Sequence, residues 1–270
     1  MTAGEEPLAG GDTTPGVVRV GDTVRRPARP FTATVHAYLA HLHSAGFTSA
    51  PVPLGIDGQG REVLSWVPGD VPHRPLPPET AGDDVLAALA RLIRQLHDAA
   101  QGWVPPPDAV WMPVTLPGGP PPVDGDPELV GHRDYCAGNV VFRRGLPAAF
   151  IDFDLARPTS RLYELANALF WWGPLRDPAD RDPAFAHADV LHRAAVFADA
   201  YAMPAGLRRG LVPMAQRMAH RFHVNTRAGA ERDPVFRRDV WENGAKDTWA
   251  RIETWLKDEG PAITARLLAA

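Results

Sequence analysis

The sequence predicts an α+β fold in which a strand-rich segment precedes a helix-rich one. Three observations carry this. Two hairpin signals lie before residue 68, residues 83–100 repeat apolar side chains with a helical period, and everything from Arg161 onward reads helical.

Residues 16–26 hold two β-branched patches, Val17, Val18 and Val20, then Thr23 and Val24. Gly21-Asp22 between them suits a tight turn. Gly10-Gly11 would turn an earlier strand into this hairpin. Pro27 and Pro30 stop the pairing, because proline donates no ladder hydrogen bond. Thr32 or Thr34 caps a helix reaching about Ala45, with Val35, Leu39 and Leu42 on one stripe and Gly46 as its stop. A second hairpin signal spans 56–67 and is broken by Pro68-Gly69. That pair is the expected hinge between an N-lobe, residues 1–67, and a C-lobe, residues 68–270.

Val85, Leu86, Leu89, Leu92, Ile93 and Leu96 then make one continuous helical face. Residues 103–127 form a Pro/Gly-rich connector. Strand-like runs at 130–142 and 148–153 surround a tight motif. Helices are expected at 161–172, 186–202, 206–224 and 235–256, followed by a short tail helix.

The chain has 270 residues and a formal net charge of -4, so no basic excess points to nucleic acid or an anionic membrane as a partner. No apolar run of about 18 residues is present, and no membrane span is expected. The N-terminal residues lack the charged-then-apolar order of a signal peptide, and Cys136 is the sole cysteine. Both features fit a reducing, cytoplasmic setting. Among the 28 basic residues only Lys246 and Lys257 are lysines, so chemistry needing a cation in the first 245 residues must use Arg or His.

The chemistry concentrates in residues 131–156. Gly-His-Arg-Asp-Tyr-Cys-Ala-Gly-Asn-Val-Val-Phe runs from Gly131 to Phe142, and Ile-Asp-Phe-Asp runs from Ile151 to Asp154. Strand–turn–strand geometry between Asn139 and Asp152 would set their side chains together as hard oxygen ligands of the kind Mg²⁺ prefers beside phosphate, with Asp134 close by. Each residue alone is ordinary turn chemistry; the combination is specific. Two acidic neighbours argue against Cys136 as a nucleophile. His220-x-x-His223 alone is weak as a zinc motif.

His132-Arg-Asp-(four)-Asn139 with Ile151-Asp-Phe resembles the catalytic and metal-binding segments of kinases. In particular the chain is similar to the aminoglycoside phosphotransferase / choline kinase-like family, which usually shows His-Gly-Asp where this sequence has His-Arg-Asp. The resemblance implies a protein-kinase-like two-lobe fold with a small N-terminal antiparallel sheet plus helix and a larger helical C-lobe. It implies transfer of the γ-phosphoryl group of ATP or GTP to a hydroxyl of a small molecule. Asp134 would be the catalytic base, and Asn139 and Asp152 would hold Mg²⁺. His132 and Arg133 would brace the loop. Glu164 sits where the family often has an Asp in that bracing role. Asp154 would either reach the metal through water or cap a turn. No Ala-Pro-Glu segment follows Asp152, which argues against a protein kinase.

In the N-lobe the resemblance implies a basic residue for the phosphates, here Arg26 or else Arg25; a solvated edge strand is the other reading of that segment. The acid expected on the following helix is absent, with His36 in about its place, and the Gly-rich loop is minimal. These gaps keep open a kinase-fold nucleotide-binding or regulatory protein without phosphotransfer. Ser65, Trp66 and Val67 would offer backbone groups to the nucleotide base, and Val52, Trp66 and Ile151 would either sandwich it or pack in the core. Trp171, Trp172, Trp241, Trp249 and Trp255, with Glu231, Asp233, Asp239 and Glu242, would suit a cationic acceptor such as an aminoglycoside or amino alcohol. Arg227, Arg232, Arg237 and Arg238 interleave with those acids, so the stretch also reads as a solvated mixed-charge helix face with Trp in the core, and a macrolide-like alcohol or another small metabolite stays open as acceptor.

Overall fold

A computed structural model describes residues 4–8, 16–114 and 120–269. Its N-terminal part is a five-stranded antiparallel sheet of order β1-β2-β3-β5-β4. The strands are β1 (Glu6–Pro7), β2 (Val18–Val20), β3 (Thr23–Pro27), β4 (Pro53–Ile56) and β5 (Arg61–Ser65). Both expected hairpins form: β2 turns into β3 at Gly21-Asp22, and β4 into β5 through residues 57–60. β1 pairs with β2 as the earlier strand, while Gly10-Gly11 lies outside the described residues. β3 is central, flanked by β2 and β5, and Arg26 on it is buried. The solvated-edge reading of this strand is therefore incorrect.

Helix α1 (Thr32–Ser44) buries Val35, Tyr38, Leu39 and Leu42. The Tyr38 hydroxyl donates to the Val130 carbonyl at 2.5 Å, which ties α1 to the second half of the chain. Gly69 has φ +141°, and a Cβ there would lie 2.5 Å from the Phe142 carbonyl oxygen. Only glycine lets the backbone approach this closely. Asp70 and Phe142 then exchange two backbone hydrogen bonds, at 2.9 and 2.7 Å.

Helix α2 (Asp83–Ala100) has the predicted limits and buries the whole predicted face. β6 (Leu129–Gly131) pairs with β9 (Arg157–Thr159), and β7 (Val140–Arg143) with β8 (Leu146–Phe150). Five helical segments follow: α3 (Arg161–Trp172), α4 (Val190–Tyr201), α5 (Ala205–Arg232), α6 (Pro234–Phe236) and α7 (Lys246–Leu268). Helix α4 starts later than predicted because Asp189 caps it, accepting from the His192 amide at 3.0 Å. Helix α5 runs eight residues past its predicted end. Leu211, Val212, Met214, Ala215, Met218 and Ala219 keep it packed despite Pro213, so tertiary burial overrides propensity. No separate tail helix exists: Pro261 sits inside α7. The break falls earlier, in the π-helical stretch Arg237–Ala245, where Gly244 has φ +110°. Among the described residues no helix is long and apolar enough to cross a membrane.

Candidate active site

The loop after β6 is held by a buried carboxylate. Glu164, on the first turn of α3, is fully buried and accepts from the His132 amide at 2.8 Å and the Tyr135 hydroxyl at 2.6 Å. Burial works against its charge, but the His97 ring and the Tyr135 hydroxyl outweigh this and hold its carboxyl below the usual glutamate range. Gly131 makes room for it, since a Cβ there would lie 2.3 Å from the Glu164 carboxyl carbon. His132 is buried among the rings of Tyr135, Phe150 and Phe153. Its Nε2 donates to the Ile151 carbonyl at 2.9 Å, and its Nδ1 accepts from the Asp134 amide at 3.2 Å. One neutral tautomer satisfies both bonds. Arg133 adopts φ +69°, a strained value for this residue type. Its guanidinium pairs with buried Asp124 and lies 4.2 Å from the Tyr163 ring centroid. His132 and Arg133 are thus braces, as expected.

This scaffold presents Asp134 at the rim of a cavity. Its Oδ2 accepts from the Asn139 amide group at 2.9 Å, and its own carbonyl accepts from the same group at 3.2 Å. The Asn139 carbonyl in turn accepts from the Ile151 amide at 3.0 Å. That link sets Asp152, at φ +59°, beside the same loop. Cys136 lies between Asp134 and Asn139 in the chain. Burial and the Asp134 carboxylate push its thiol up to about 12, so it is no nucleophile.

Arg26 meets this centre from the sheet. Its guanidinium reaches Asp152 at 3.2 Å and Asp154 at 2.5 Å, and it pairs with buried Glu62 on β5. Glu62 also holds His36 of α1 at 2.9 Å. Burial opposes ionisation of Glu62, but His36 and Arg26 prevail and keep its carboxyl below the usual range. Burial also opposes the charge on Arg26, and the three carboxylates more than offset it. Arg25 points to the other face, 3.6 Å from Asp57, as strand alternation requires. The orienting acid that the α1 sequence lacks is therefore supplied by a strand. Its sequence signal is an acid on the buried face of β5, in register with Leu64.

Glu62, Asp152 and Asp154 surround one guanidinium and leave a surplus of negative charge. Burial pushes the Asp154 carboxyl up to about 6; Arg26 opposes the shift, and Asp152 and Glu62 add to it. Asp152 and the Asn139 amide oxygen are hard oxygens of the kind a divalent cation accepts beside phosphate oxygens. Among the described residues no group of three or more His, Cys, Asp or Glu is placed to hold a metal ion. Magnesium commonly takes one or two carboxylates and completes its shell with phosphate and water.

The residues expected at the edge of the nucleotide base lie at the end of β5. The Ser65 amide donates to the Val52 carbonyl at 2.9 Å, and the Trp66 amide to the Asp22 carbonyl at 2.8 Å. The Trp66 ring lies under the Arg19 guanidinium, 4.4 Å from its centroid. Val67 and Ile151 are half-buried, and Val52 is exposed.

A cavity of about 480 Å³ opens beside Asp134. Trp171, Trp249 and Phe222 line it, with Arg74, Arg133, Arg176 and Arg221. The other tryptophans singled out from sequence lie elsewhere. Trp172 is buried, Trp241 packs on His223, and Trp255 packs under Arg181. The acids expected to recognise a cation do not line this cavity, and Glu231 and Asp239 are spent on the exposed Arg227 and Arg238.

A model of the phosphotransferase enzyme family (APH) matches residues 8–110 and 109–197, well over half of the sequence. The chain belongs to that family. This phosphotransferase is 32% identical over 207 residues to the trifolitoxin immunity protein of Rhizobium leguminosarum bv. trifolii, covering 75% of this chain and 76% of that one. Its fold is that of the protein-kinase-like small-molecule kinases. It aligns with a choline/ethanolamine kinase family protein from Mesorhizobium loti at a TM-score of 0.65 and 18% identity, over 100% of this chain and 94% of that one. It also aligns with the amicoumacin kinase hAmiN, solved with AMP-PNP, Ca²⁺ and Ami, at a TM-score of 0.61 and 11% identity, over 96% and 89%.

Proposed function

We propose that this phosphotransferase moves the γ-phosphoryl group of ATP or GTP to a hydroxyl of a small molecule held in the cavity beside Asp134. Residues 1–67 serve as the nucleotide lobe and residues 68–270 as the catalytic lobe. The observation that carries this reading is the placement of Asp134. Its carboxylate is fixed by Asn139 at the edge of a cavity of substrate size, next to a cluster of hard oxygen donors.

Asp134 accepts the hydroxyl proton as the acceptor oxygen bonds to the γ-phosphorus and the bond to the departing nucleoside diphosphate breaks. Asn139 steers that carboxylate through its amide group and keeps its own oxygen for the cation. Asn139 and Asp152 would hold a divalent cation such as Mg²⁺, which when bound would supply neutralisation of phosphate charge. Arg26, kept in place by Glu62, offers its guanidinium to the phosphates, a bidentate geometry for which arginine is well shaped. Ser65, Trp66, Val67 and Ile151 border the base.

The reading without phosphotransfer drew on a missing ion pair in the N-lobe, and Glu62 supplies that pair. The kinship with an immunity protein supports an inhibitory compound as acceptor, disarmed by the added phosphate. The test is nucleoside diphosphate release with ATP or GTP and Mg²⁺ across a panel of hydroxyl compounds, followed by mass spectrometry of the acceptor. Nucleotide-dependent stabilisation with no phosphorylated product from the panel would favour the regulatory reading.

A further inference from the structure

The walls of the cavity carry a charge that the composition of the chain does not announce. Asp134 is the only carboxylate among its described lining residues, against four arginines. Arg133 is spent on Asp124. Arg221 donates to the carbonyls of Pro121 and Val114, at 3.1 and 3.0 Å.

Arg74 and Arg176 stand differently. Both guanidiniums lie over the Trp171 ring, at 5.1 and 5.7 Å from its centroid. Neither forms an ion pair among the described residues. Arg176 donates to the Phe170 carbonyl at 2.7 Å, while its Nε is buried without a partner. The nearby Asp180 is engaged by Arg251 at 2.5 and 2.9 Å and by the Thr248 hydroxyl at 3.2 Å. Burial, with Arg74 adding repulsion, pulls the Arg176 guanidinium down to about 10, so it stays charged at neutral pH.

Two like charges gathered at one indole ring, close enough for Arg74 to repel Arg176, are unfavourable until an anion joins them. Part of the remaining wall is flat and apolar, where Phe222 and Trp249 stack with centroids 5.3 Å apart, while Asn167, Asn225 and Thr248 add neutral polar groups.

We infer that the acceptor carries an anionic group, carboxylate or phosphate, on a flat apolar body, with the anion at Arg74 and Arg176 and the hydroxyl at Asp134. This deepens the phosphotransferase reading and rests on the cavity being its acceptor site. It departs from the cationic acceptor expected from the tryptophans and acids of the sequence. An ammonium group in this cavity would meet unneutralised guanidinium charge.

The test uses three compounds that share a phenyl ring. These are 3-phenyllactate, with a hydroxyl and a carboxylate, 2-phenylethyl phosphate, and phenylalaninol, with a hydroxyl and an ammonium. Binding to the full chain is followed by tryptophan fluorescence and calorimetry without nucleotide, so the readout does not depend on turnover. Saturable binding of at least one anion, with none of phenylalaninol, is expected; which anion binds identifies the group recognised. Arg176→Gln and Arg74→Gln should each weaken it roughly tenfold or more, the scale of a lost charged hydrogen bond. Arg74 is exposed, so its variants leave the core intact. Arg74→Lys should restore part of the affinity, Arg74→Glu should reverse the preference towards phenylalaninol, and Arg227→Gln should change nothing.

The inference is overturned if phenylalaninol binds as well as the anions, if neither anion binds, or if anion binding ignores the arginine changes. Anion binding of the expected kind, with no phosphoryl transfer to any compound of the wider hydroxyl panel, would sink the phosphotransferase reading and leave only an anion site at Arg74 and Arg176. Phosphorylation of phenylalaninol in preference to 3-phenyllactate would do the reverse.

Discussion

Arg26 and Glu62 are direct cross-strand partners in the central β3–β5 pair, and their side chains form a buried ion pair beneath the candidate active site. The pair is thus fixed by sheet register. Glu62→Ala removes the partner that aims Arg26 while Asp152 and Asp154 remain. Removing one member of a buried pair is costly, and with two carboxylates left the loss should be about 2 kcal/mol. Urea unfolding measures it. Nucleotide affinity should fall roughly tenfold in the same variant, since the guanidinium is free to turn towards the aspartates.

Acid should reveal the same pair. Glu62 and Glu164 both ionise below the ordinary glutamate value of 4.5. The unfolded chain therefore binds protons before the folded one does. The stability these groups contribute is fully present above 4.5 and is lost as pH falls through their folded values. Urea midpoints taken near neutrality and at a series of values below 4.5 should decline, and Glu62→Gln should flatten the decline.

Asp134→Asn should lower transfer by a factor of about 10² to 10⁴, the usual share of a general base, with the fold and nucleotide binding retained. The variant also reports on Cys136. The raised thiol makes the native protein slow to alkylate near neutral pH in the absence of divalent ions. Loss of the neighbouring carboxylate lowers that value, so Asp134→Asn should react faster with iodoacetamide, as peptide mass spectrometry would record. An unchanged rate would place the cause in burial alone.

Gly131→Ala drives a methyl group into the Glu164 carboxyl. Glu164 cannot step aside without freeing the His132 amide and the Tyr135 hydroxyl, both buried. A loss of about 2–3 kcal/mol in stability is expected, as for other disrupted buried networks, together with a fall in kcat larger than any change in KM. Thermal unfolding and steady-state kinetics check the two parts.

The two-lobe plan was legible because hairpin turns and the face of α2 are local signals. The loop that carries Asp134 and Asn139 was legible because its residues lie within a short stretch of chain. Glu62 was not sought on a strand, since the expectation placed the orienting acid on a helix. Arg74, Arg176 and Arg221 come from three separate elements, and only packing brings them to one cavity. No spacing in the chain encodes that meeting. The helix ends after residue 224 were missed because α5 continues from there to Arg232 with only Ala230 buried, leaving no apolar stripe to read, and because burial of Ile263 and Leu267 carries α7 through Pro261.

The contacts of Arg26 with Asp152 and Asp154 span the cleft from sheet to loop. Sheet and loop are therefore latched to each other by the protein's own charges. On the proposed function, an incoming triphosphate would exchange places with the aspartates on that guanidinium, and an accompanying cation would give the released carboxylates a new partner. Nucleotide and metal would then enter as a mutually dependent pair, each poorly accommodated without the other, and added salt would ease the latch open.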